Sequence, residues 1–180
     1  MQRIVIVGIS GSGKTTVAAR MAKELGYPHI ELDALHWQPN WTEAPPEVLR
    51  ERVMEAAEGS SWVIDGNYGM VRDIVWGRAD TVLWLDYSFS LVYWRVVFRT
   101  LRGIFTGEEL WNGNREKLTS LIGKDSMPNW VKKTYPELKK EYPKLCSQPE
   151  YSHIKFIRHM TPKETEAWLE NLTENYSPKD

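Results

Sequence analysis

The sequence predicts an α/β fold in which helices cover both faces of a parallel sheet. Short apolar runs, such as residues 3–7, have the β-branched composition of strands that are buried on both faces. Segments with helical periodicity, such as residues 14–25, separate these runs at spacings that require right-handed crossovers. We therefore expect residues 1–180 to form one domain, a three-layer sandwich with the sheet in the middle.

Strands and helices are expected to alternate along the chain. Strands are predicted at residues 3–7, 29–32, 62–65, 81–86 and 154–158. Helices are predicted at residues 14–25, 45–58, 69–76, 88–101 and 161–175. Gly26 is expected to end the first helix, and a proline in the first turn marks helix starts at Pro45 and Pro162. This order of elements is typical of a parallel sheet.

Two segments depart from this alternation. Residues 103–127 are polar and contain several glycines, and we expect them to form a lid-like insertion. Residues 128–144 are rich in lysine, and Pro136 within them predicts a helix that is broken into pieces. The simplest architecture is thus a single domain with a lid beside the sheet.

Composition narrows the classes of function. The net charge is −1 and the isoelectric point is about 6.4, so no global positive charge favours nucleic acid or an anionic membrane. The single cysteine, Cys146, excludes a disulfide within the chain, which fits a reducing compartment. No apolar stretch has the length of a signal-peptide core or a membrane helix. We therefore expect a cytoplasmic protein without membrane or nucleic-acid partners.

The turn after the first strand carries the strongest functional signal. Residues 8–15 match the phosphate-binding pattern G-x-x-x-x-G-K-[ST] without deviation. Its glycines let backbone N–H groups converge on an anion, and the next helix points its N-terminus at the same phosphates. Lys14 is expected to neutralise the β- and γ-phosphates of ATP, and the Thr15 hydroxyl to ligate Mg²⁺. The predicted ATP-binding residues of this loop are Gly8, Ser10, Gly11, Ser12, Gly13, Lys14, Thr15 and Thr16.

Three carboxylates stand at predicted strand ends, which is where ligands bind in sheets of this type. Asp65 is the expected partner of Thr15 at Mg²⁺. Asp86 is the alternative metal residue, but the sequence favours it as the cap of the following helix. Asp33 is expected to orient or deprotonate the hydroxyl group of an acceptor molecule, with a turn cap as the alternative.

Residues near these carboxylates are candidates for an acceptor pocket. With Asp33, the predicted substrate-binding residues are His36, Trp37, Asn67 and Arg72. Tryptophan can stack on a substrate ring, and packing in the core is the alternative for both the tryptophan and the histidine. The acceptor is therefore expected beside the second and third strands.

Further arginines are candidates for contacts with phosphate. Arg95 and Arg99 are four residues apart on an otherwise mostly apolar helix, so they share one narrow face. That face can meet either solvent or the nucleotide, and we favour the nucleotide because arginine suits phosphate recognition. Arg115, in the lid, is a candidate catalytic residue that would stabilise the transferred phosphoryl group, with a solvated loop arginine as the alternative.

These motifs together resemble the adenylate-kinase-like P-loop proteins known as DNA topology modulation (FlaR-like) proteins. Besides the P-loop, the resemblance rests on residues 32–37 with Trp41, 64–68, 80–86 and 110–116, and it covers nearly the whole chain. It implies a P-loop NTPase fold with a five-stranded parallel sheet of strand order 2-3-1-4-5.

The resemblance also has implications for the site. It implies that Asp65-Gly66 matches the Asp-Gly pair of adenylate kinases, and that Arg95 and Arg99 match their paired nucleotide-site arginines. The chain departs from adenylate kinases where Asn67-Tyr68 replaces Phe-Pro-Arg. The arginine that contacts the acceptor nucleotide is missing at that position, which argues against AMP as the acceptor.

The sequence thus predicts a kinase that uses ATP and Mg²⁺ to phosphorylate a small molecule such as a nucleoside, a nucleotide or another hydroxylated metabolite. The alternative is an ATP-binding regulator that switches a protein or DNA partner through the lid and the lysine-rich residues 132–144. A kinase needs Asp33 for turnover, whereas a regulator tolerates its loss.

Overall fold

A computed structural model describes residues 1–176, and residues 177–180 of the predicted domain lie outside the described part. Its strands are β1 (Arg3–Gly8), β2 (His29–Glu31), β3 (Trp37–Gln38), β4 (Thr42–Glu43), β5 (Trp62–Asp65), β6 (Thr81–Leu85) and β7 (Lys155–His159). Five of them form a parallel sheet in the order β2-β5-β1-β6-β7, while β3 and β4 pair antiparallel outside it. Counted within the large sheet alone, the order is 2-3-1-4-5, and the predicted fold class is confirmed.

The helices are α1 (Lys14–Leu25), α2 (Leu32–His36), α3 (Pro46–Ala56), α4 (Arg72–Arg78), α5 (Phe89–Thr106), α6 (Leu118–Leu121), α7 (Met127–Cys146) and α8 (Pro162–Tyr176). They lie on both faces of the sheet. The side chains of β1 point alternately to the two faces, so each face presents apolar residues that helices cover. Val5 and Val7 enter one buried cluster with residues of α3 and α4. Ile4 and Ile6 enter a second cluster with residues of α1, α5 and α8.

The prediction that Pro136 breaks the lysine-rich segment is wrong. Helix α7 runs unbroken through both Pro136 and Pro143. Its side chains Val131 and Tyr142 are buried in the two different core clusters, so both ends of the helix are anchored in the core. This packing stabilises the helix although each proline removes a backbone hydrogen bond.

The first residues of the predicted lid, 103–106, belong to a helix, and the lid itself stays a prediction. Helix α5 continues through residue 103 and ends at Thr106, where Gly107 adopts a left-handed conformation with φ 62°. Between α5 and α7, Glu109 forms an isolated antiparallel bridge with Arg115, and α6 follows.

Within residues 1–176, no helix combines the length and the apolar character that a membrane span requires.

Candidate active site

The phosphate loop connects β1 to α1 through residues whose backbone geometry only glycine adopts easily. Gly11 has φ 84°, and a Cβ atom there would lie 2.4 Å from the carbonyl oxygen of Val92 in α5. Gly8 and Gly13 also have positive φ angles. The hydroxyl oxygen of Ser12 is buried and finds no hydrogen-bond partner within residues 1–176. The loop therefore forms a close-fitting cradle, and its buried Ser12 hydroxyl is available to bind an anion.

Lys14 and Thr15 open α1 beside the buried carboxylate of Asp65. Asp65 stands opposite Ile6 in the pairing of β5 with β1, which brings the end of β5 beside the loop. The Thr15 Oγ1 hydroxyl donates to Asp65 Oδ1 at 3.0 Å. Burial lowers the pKa of the Lys14 ammonium, and the charges of Asp33 and Asp65 oppose that shift. The two predicted metal residues thus lie in direct contact.

The second oxygen of Asp65 is held by a histidine. His29 Nε2 lies 2.7 Å from Asp65 Oδ2, across the pairing of β2 with β5. This hydrogen bond raises the pKa of His29, while burial opposes the increase. The carboxylate is consequently fixed between a strand residue on one side and the phosphate loop on the other.

The predicted arginine face lies against the phosphate loop. Arg95 Nη1 is 3.5 Å from the carbonyl oxygen of Ser12. Arg99 Nη2 donates to Ser10 Oγ at 3.3 Å. Both guanidinium groups therefore reach the cradle, while contact with a bound nucleotide stays a prediction. Thr16, also predicted in the site, is exposed in the first turn of α1.

Asp86 does not cap a helix, so that interpretation is wrong. Helix α5 begins after Ser88 and has no side-chain cap. Asp86 is buried and pairs with Lys139 at 2.9 Å and with Arg158 Nε at 2.9 Å. A carboxylate neutralised by two cations is a poor ligand for a third, and this pairing favours Asp65 as the metal residue.

Asp33 lies in the first turn of α2 and not at a strand end, because β2 stops at Glu31. The Tyr68 hydroxyl donates to Asp33 Oδ1 at 2.5 Å. Burial and the adjacent Asp33 carboxylate raise the pKa of Tyr68 far above its usual value, so Tyr68 remains a donor. His36 is buried, with its ring 4.5 Å from that of Tyr68 and 4.8 Å from that of Trp37. The Asp33 carboxylate is thus bonded to Tyr68, whose ring lies against that of His36.

Asn67 and Arg72 make contacts within the protein. Asn67 accepts a hydrogen bond from the Gly8 N–H at 3.2 Å and donates one to the Gly8 carbonyl oxygen. The Tyr142 hydroxyl donates to Asn67 Oδ1 at 2.8 Å. Arg72 pairs with Glu141 at 3.0 Å. Asn67 therefore braces the phosphate loop, and substrate binding by either residue stays a prediction.

Residues 109–115 dock onto residues 31–43. We name these the docked loop and the acceptor segment. Trp111 Nε1 donates to Glu31 Oε2 at 2.7 Å. The amide of Asn112 donates to the Ala34 and Trp37 carbonyl oxygens, and that of Asn114 to the Gln38 carbonyl oxygen. In return, the Trp41 N–H donates to Asn114 Oδ1 at 2.7 Å, and Trp41 Nε1 to the Arg115 carbonyl oxygen at 3.1 Å.

The side chain of Arg115 does not take part in this docking. Its guanidinium lies 3.7 Å from the carboxylate of Glu109 and is largely exposed. Its predicted contact with a transferred phosphoryl group therefore stays a prediction and requires this ion pair to open.

Comparisons with known proteins indicate the family of the chain. A family profile described as an AAA domain matches residues 4–62, from β1 to the first residue of β5. The cytidylate kinase of Thermococcus kodakarensis is 30% identical over 145 residues, which cover 68% of this chain and 72% of that protein. The chain belongs to this family of P-loop kinases. The cytidylate kinase of Pyrococcus abyssi is 29% identical, with 68% and 76% covered.

Solved structures share the fold of this kinase. Shikimate kinase from Bacteroides thetaiotaomicron superposes with a TM-score of 0.56, with 17% identity and 97% of each chain covered. Deoxyadenosine kinase from M. mycoides gives a TM-score of 0.52, with 16% identity and 95% of this chain and 98% of that chain covered. At this identity the similarity establishes the common architecture.

The sequence did not reveal several residues of the kinase site. His29 and Tyr68 hold the carboxylates of Asp65 and Asp33, and Asn112 and Asn114 hold the docked loop. The one available signal was that Tyr68 and both asparagines fall within the segments that carry the family resemblance. No local pattern marks His29, because its partner is set by which strands are neighbours.

Proposed function

We propose that this kinase transfers the γ-phosphoryl group of Mg-ATP to a hydroxyl group of a small molecule bound at Asp33. The observation that carries the proposal is the contact of Thr15 with the buried Asp65 carboxylate, beside Lys14 at the start of α1. The charges of Asp65 and Asp33 both act on the Lys14 ammonium, which fits a metal residue and an acceptor residue near one phosphate-binding lysine. Phosphoryl transfer needs these three parts in one place.

The residues present fit Mg-ATP. Thr15 and Asp65 offer adjacent oxygen atoms, which are the ligands that Mg²⁺ prefers. The buried, unpartnered Ser12 hydroxyl and the glycine backbone offer donors for phosphate oxygens within the described residues. When bound, Mg-ATP supplies the transferable phosphoryl group and neutralises part of its charge. We assign Arg95 and Arg99 to the nucleotide, and Arg115 to closure over the transferred group.

The remaining catalysis is positioning. Asp33 accepts a hydrogen bond from the acceptor hydroxyl and takes its proton, and Tyr68 holds the carboxylate in place. Lys14 stabilises the negative charge on the phosphoryl oxygens. The docked loop donates hydrogen bonds to backbone carbonyl groups of the acceptor segment. These bonds fix the position of Asp33 relative to the phosphate loop.

The test is Mg-ATP turnover against nucleosides, nucleotides and other hydroxylated metabolites, read as ADP release above the rate without acceptor. We expect at least one compound to stimulate release, and the Asp33→Asn variant to lose that stimulation. Tight ATP binding without any stimulation would overturn the proposal. Wild-type turnover of ATP in Asp33→Asn would favour the alternative, an ATP-binding regulator.

A further inference from the structure

The acceptor segment carries negative charges and has no lysine or arginine to balance them. Residues 31–43 contain the three carboxylates of Glu31, Asp33 and Glu43, and no lysine or arginine. Glu43 lies at the rim, with its side chain 70% exposed and Oε1 4.0 Å from Nε2 of buried His36. A dianionic phosphate bound against this segment would meet charges of its own sign, which is unfavourable in a partly buried site.

Three arginines near this region are engaged within the protein. Arg52 donates to the Leu35 carbonyl oxygen at 2.8 Å, and Arg72 pairs with Glu141 at 3.0 Å. Arg115, on the docked loop, pairs with Glu109. Recognition of a phosphate monoester typically uses arginines that are free to form paired hydrogen bonds. Using any of these three for an acceptor phosphate would therefore break an existing contact.

The other groups around Asp33 suit a ring with hydroxyl groups. The ring of Trp37 lies 5.5 Å from that of Trp41 and 4.8 Å from that of His36, so the segment presents clustered aromatic faces. Such faces stack on a flat base or on the apolar face of a sugar. His36 Nδ1 is buried without a hydrogen-bond partner within residues 1–176, and thus offers one further polar atom.

We propose that the acceptor carries no phosphate group and is a nucleoside-like molecule, a hydroxylated sugar with an attached ring. This inference rests on the proposed function and narrows its substrate class. The acceptor oxygen forms a new bond to the γ-phosphorus of ATP while the bond from that phosphorus to the bridging oxygen breaks. ADP leaves, and the hydroxyl proton passes to Asp33. The product is a phosphate monoester that no longer fits the negative segment.

The experiment compares matched pairs of acceptors: cytidine with CMP, adenosine with AMP, uridine with UMP and guanosine with GMP. With Mg-ATP as donor, kcat/KM for the best nucleoside should exceed that of its monophosphate by about tenfold or more. A monophosphate that is the better acceptor overturns the inference. If none of these compounds is phosphorylated but another hydroxylated metabolite is, the inference fails and the proposed function stands. If no compound of the wider panel is phosphorylated, the proposed function fails, and binding of the same pairs beside a non-hydrolysable ATP analogue still decides the preference.

A charge reversal at the rim tests the physical cause. Glu43→Lys should lower the ratio of nucleoside to monophosphate kcat/KM by roughly threefold to tenfold, as for one partly exposed charge. The matched control is Glu55→Lys, an exposed position near the other end of α3, which should leave the ratio unchanged. An equal ratio in Glu43→Lys and wild type would show that the charge of the segment does not select the acceptor.

Discussion

The two sides of this active site are built in different ways. The phosphate side is one short turn, in which glycine backbone angles and a helix start create the cradle. The acceptor side joins two segments about 80 residues apart in sequence, such as Glu31 and Trp111, through side-chain hydrogen bonds. The first depends on local conformation and the second on distant contacts.

This difference has consequences for each side. A turn that is fixed by its own backbone tolerates change elsewhere in the protein, but it does not tolerate an added side chain. An interface of amide and indole hydrogen bonds can change its shape while the core stays intact, as expected for the part of a family that selects the substrate. Substitutions on the two sides should therefore separate ATP binding from use of the acceptor.

Replacing the lysine of the phosphate side should have the largest effect. In Lys14→Ala, turnover should fall by roughly 10²-fold or more, because a cation aimed at developing charge is lost. The melting temperature should stay near that of wild type, since within the described residues Lys14 donates only one long hydrogen bond, of 3.4 Å, to the Ile9 carbonyl oxygen. The control is Lys23→Ala, an exposed lysine of the same helix. Near-normal turnover in Lys14→Ala would contradict the proposed roles.

An added methyl group should disrupt the cradle through its contact with α5. In Gly11→Ala, the Cβ atom would lie 2.4 Å from the Val92 carbonyl oxygen, so ATP affinity should fall and unfolding free energy should drop by about 1–3 kcal/mol. Gly26→Ala separates strain from contact, because Gly26 also has a positive φ, 68°, but nothing within 4 Å. It should cost about 1 kcal/mol and leave ATP affinity unchanged. Calorimetric titration measures the affinity for ATP, and urea unfolding measures the stability. An equal loss of ATP affinity in the two variants would show that the contact with Val92 is not the cause.

The phosphate side was largely predictable from the sequence because its signals are local. The P-loop pattern lies between a buried strand and a helix, and that context predicts Lys14 and Thr15 as phosphate-site residues. Asp65 followed from its position at a strand end, and its contact with Thr15 agrees. The four-residue spacing of Arg95 and Arg99 was also enough to predict a shared face, which lies against the loop.

The acceptor side could not be predicted in the same way because its contacts are distant. Asn112 and Asn114 bond to backbone carbonyl groups. Any residue type can supply such a carbonyl group, so the sequence does not reveal the partner. Asp33 was predicted as a functional carboxylate, but its strand ends earlier and a short helix carries it. The error at Pro136 has a similar origin, since a local rule was outweighed by packing of α7 in two core clusters.

Loss of a buried amide should affect the acceptor side alone. Asn114 is buried and bonds to the Gln38 and Trp111 carbonyl oxygens and to the Trp41 N–H. In Asn114→Ala, unfolding free energy should fall by about 1–3 kcal/mol because these groups lose their partner.

Kinetics of the same variant should separate the two sides. We expect kcat/KM for the acceptor to fall while the Kd for ATP stays constant. The matched control is Asn129→Ala, since Asn129 is exposed and bonds only to the Gly123 carbonyl oxygen within the described residues. A parallel loss of ATP affinity in Asn114→Ala would mean that the docked loop also supports the phosphate side.

The smallest expected effect is a pH dependence at the histidine that holds Asp65. The hydrogen bond to Asp65 raises the pKa of His29 above its usual value of 6.5, so the protonated imidazole stabilises the folded state. This contribution is complete below pH 6.5 and is lost as pH rises through the higher pKa of the folded state. Urea unfolding of wild type and His29→Gln without Mg²⁺ should therefore show a stability difference that is largest near the acidic end and shrinks with rising pH. The control is His153→Gln, which replaces an exposed histidine and so measures the effect of losing a histidine that does not hold Asp65. A difference that stays constant with pH would mean that His29 holds Asp65 without carrying a proton, and that the carboxylate is positioned by geometry alone.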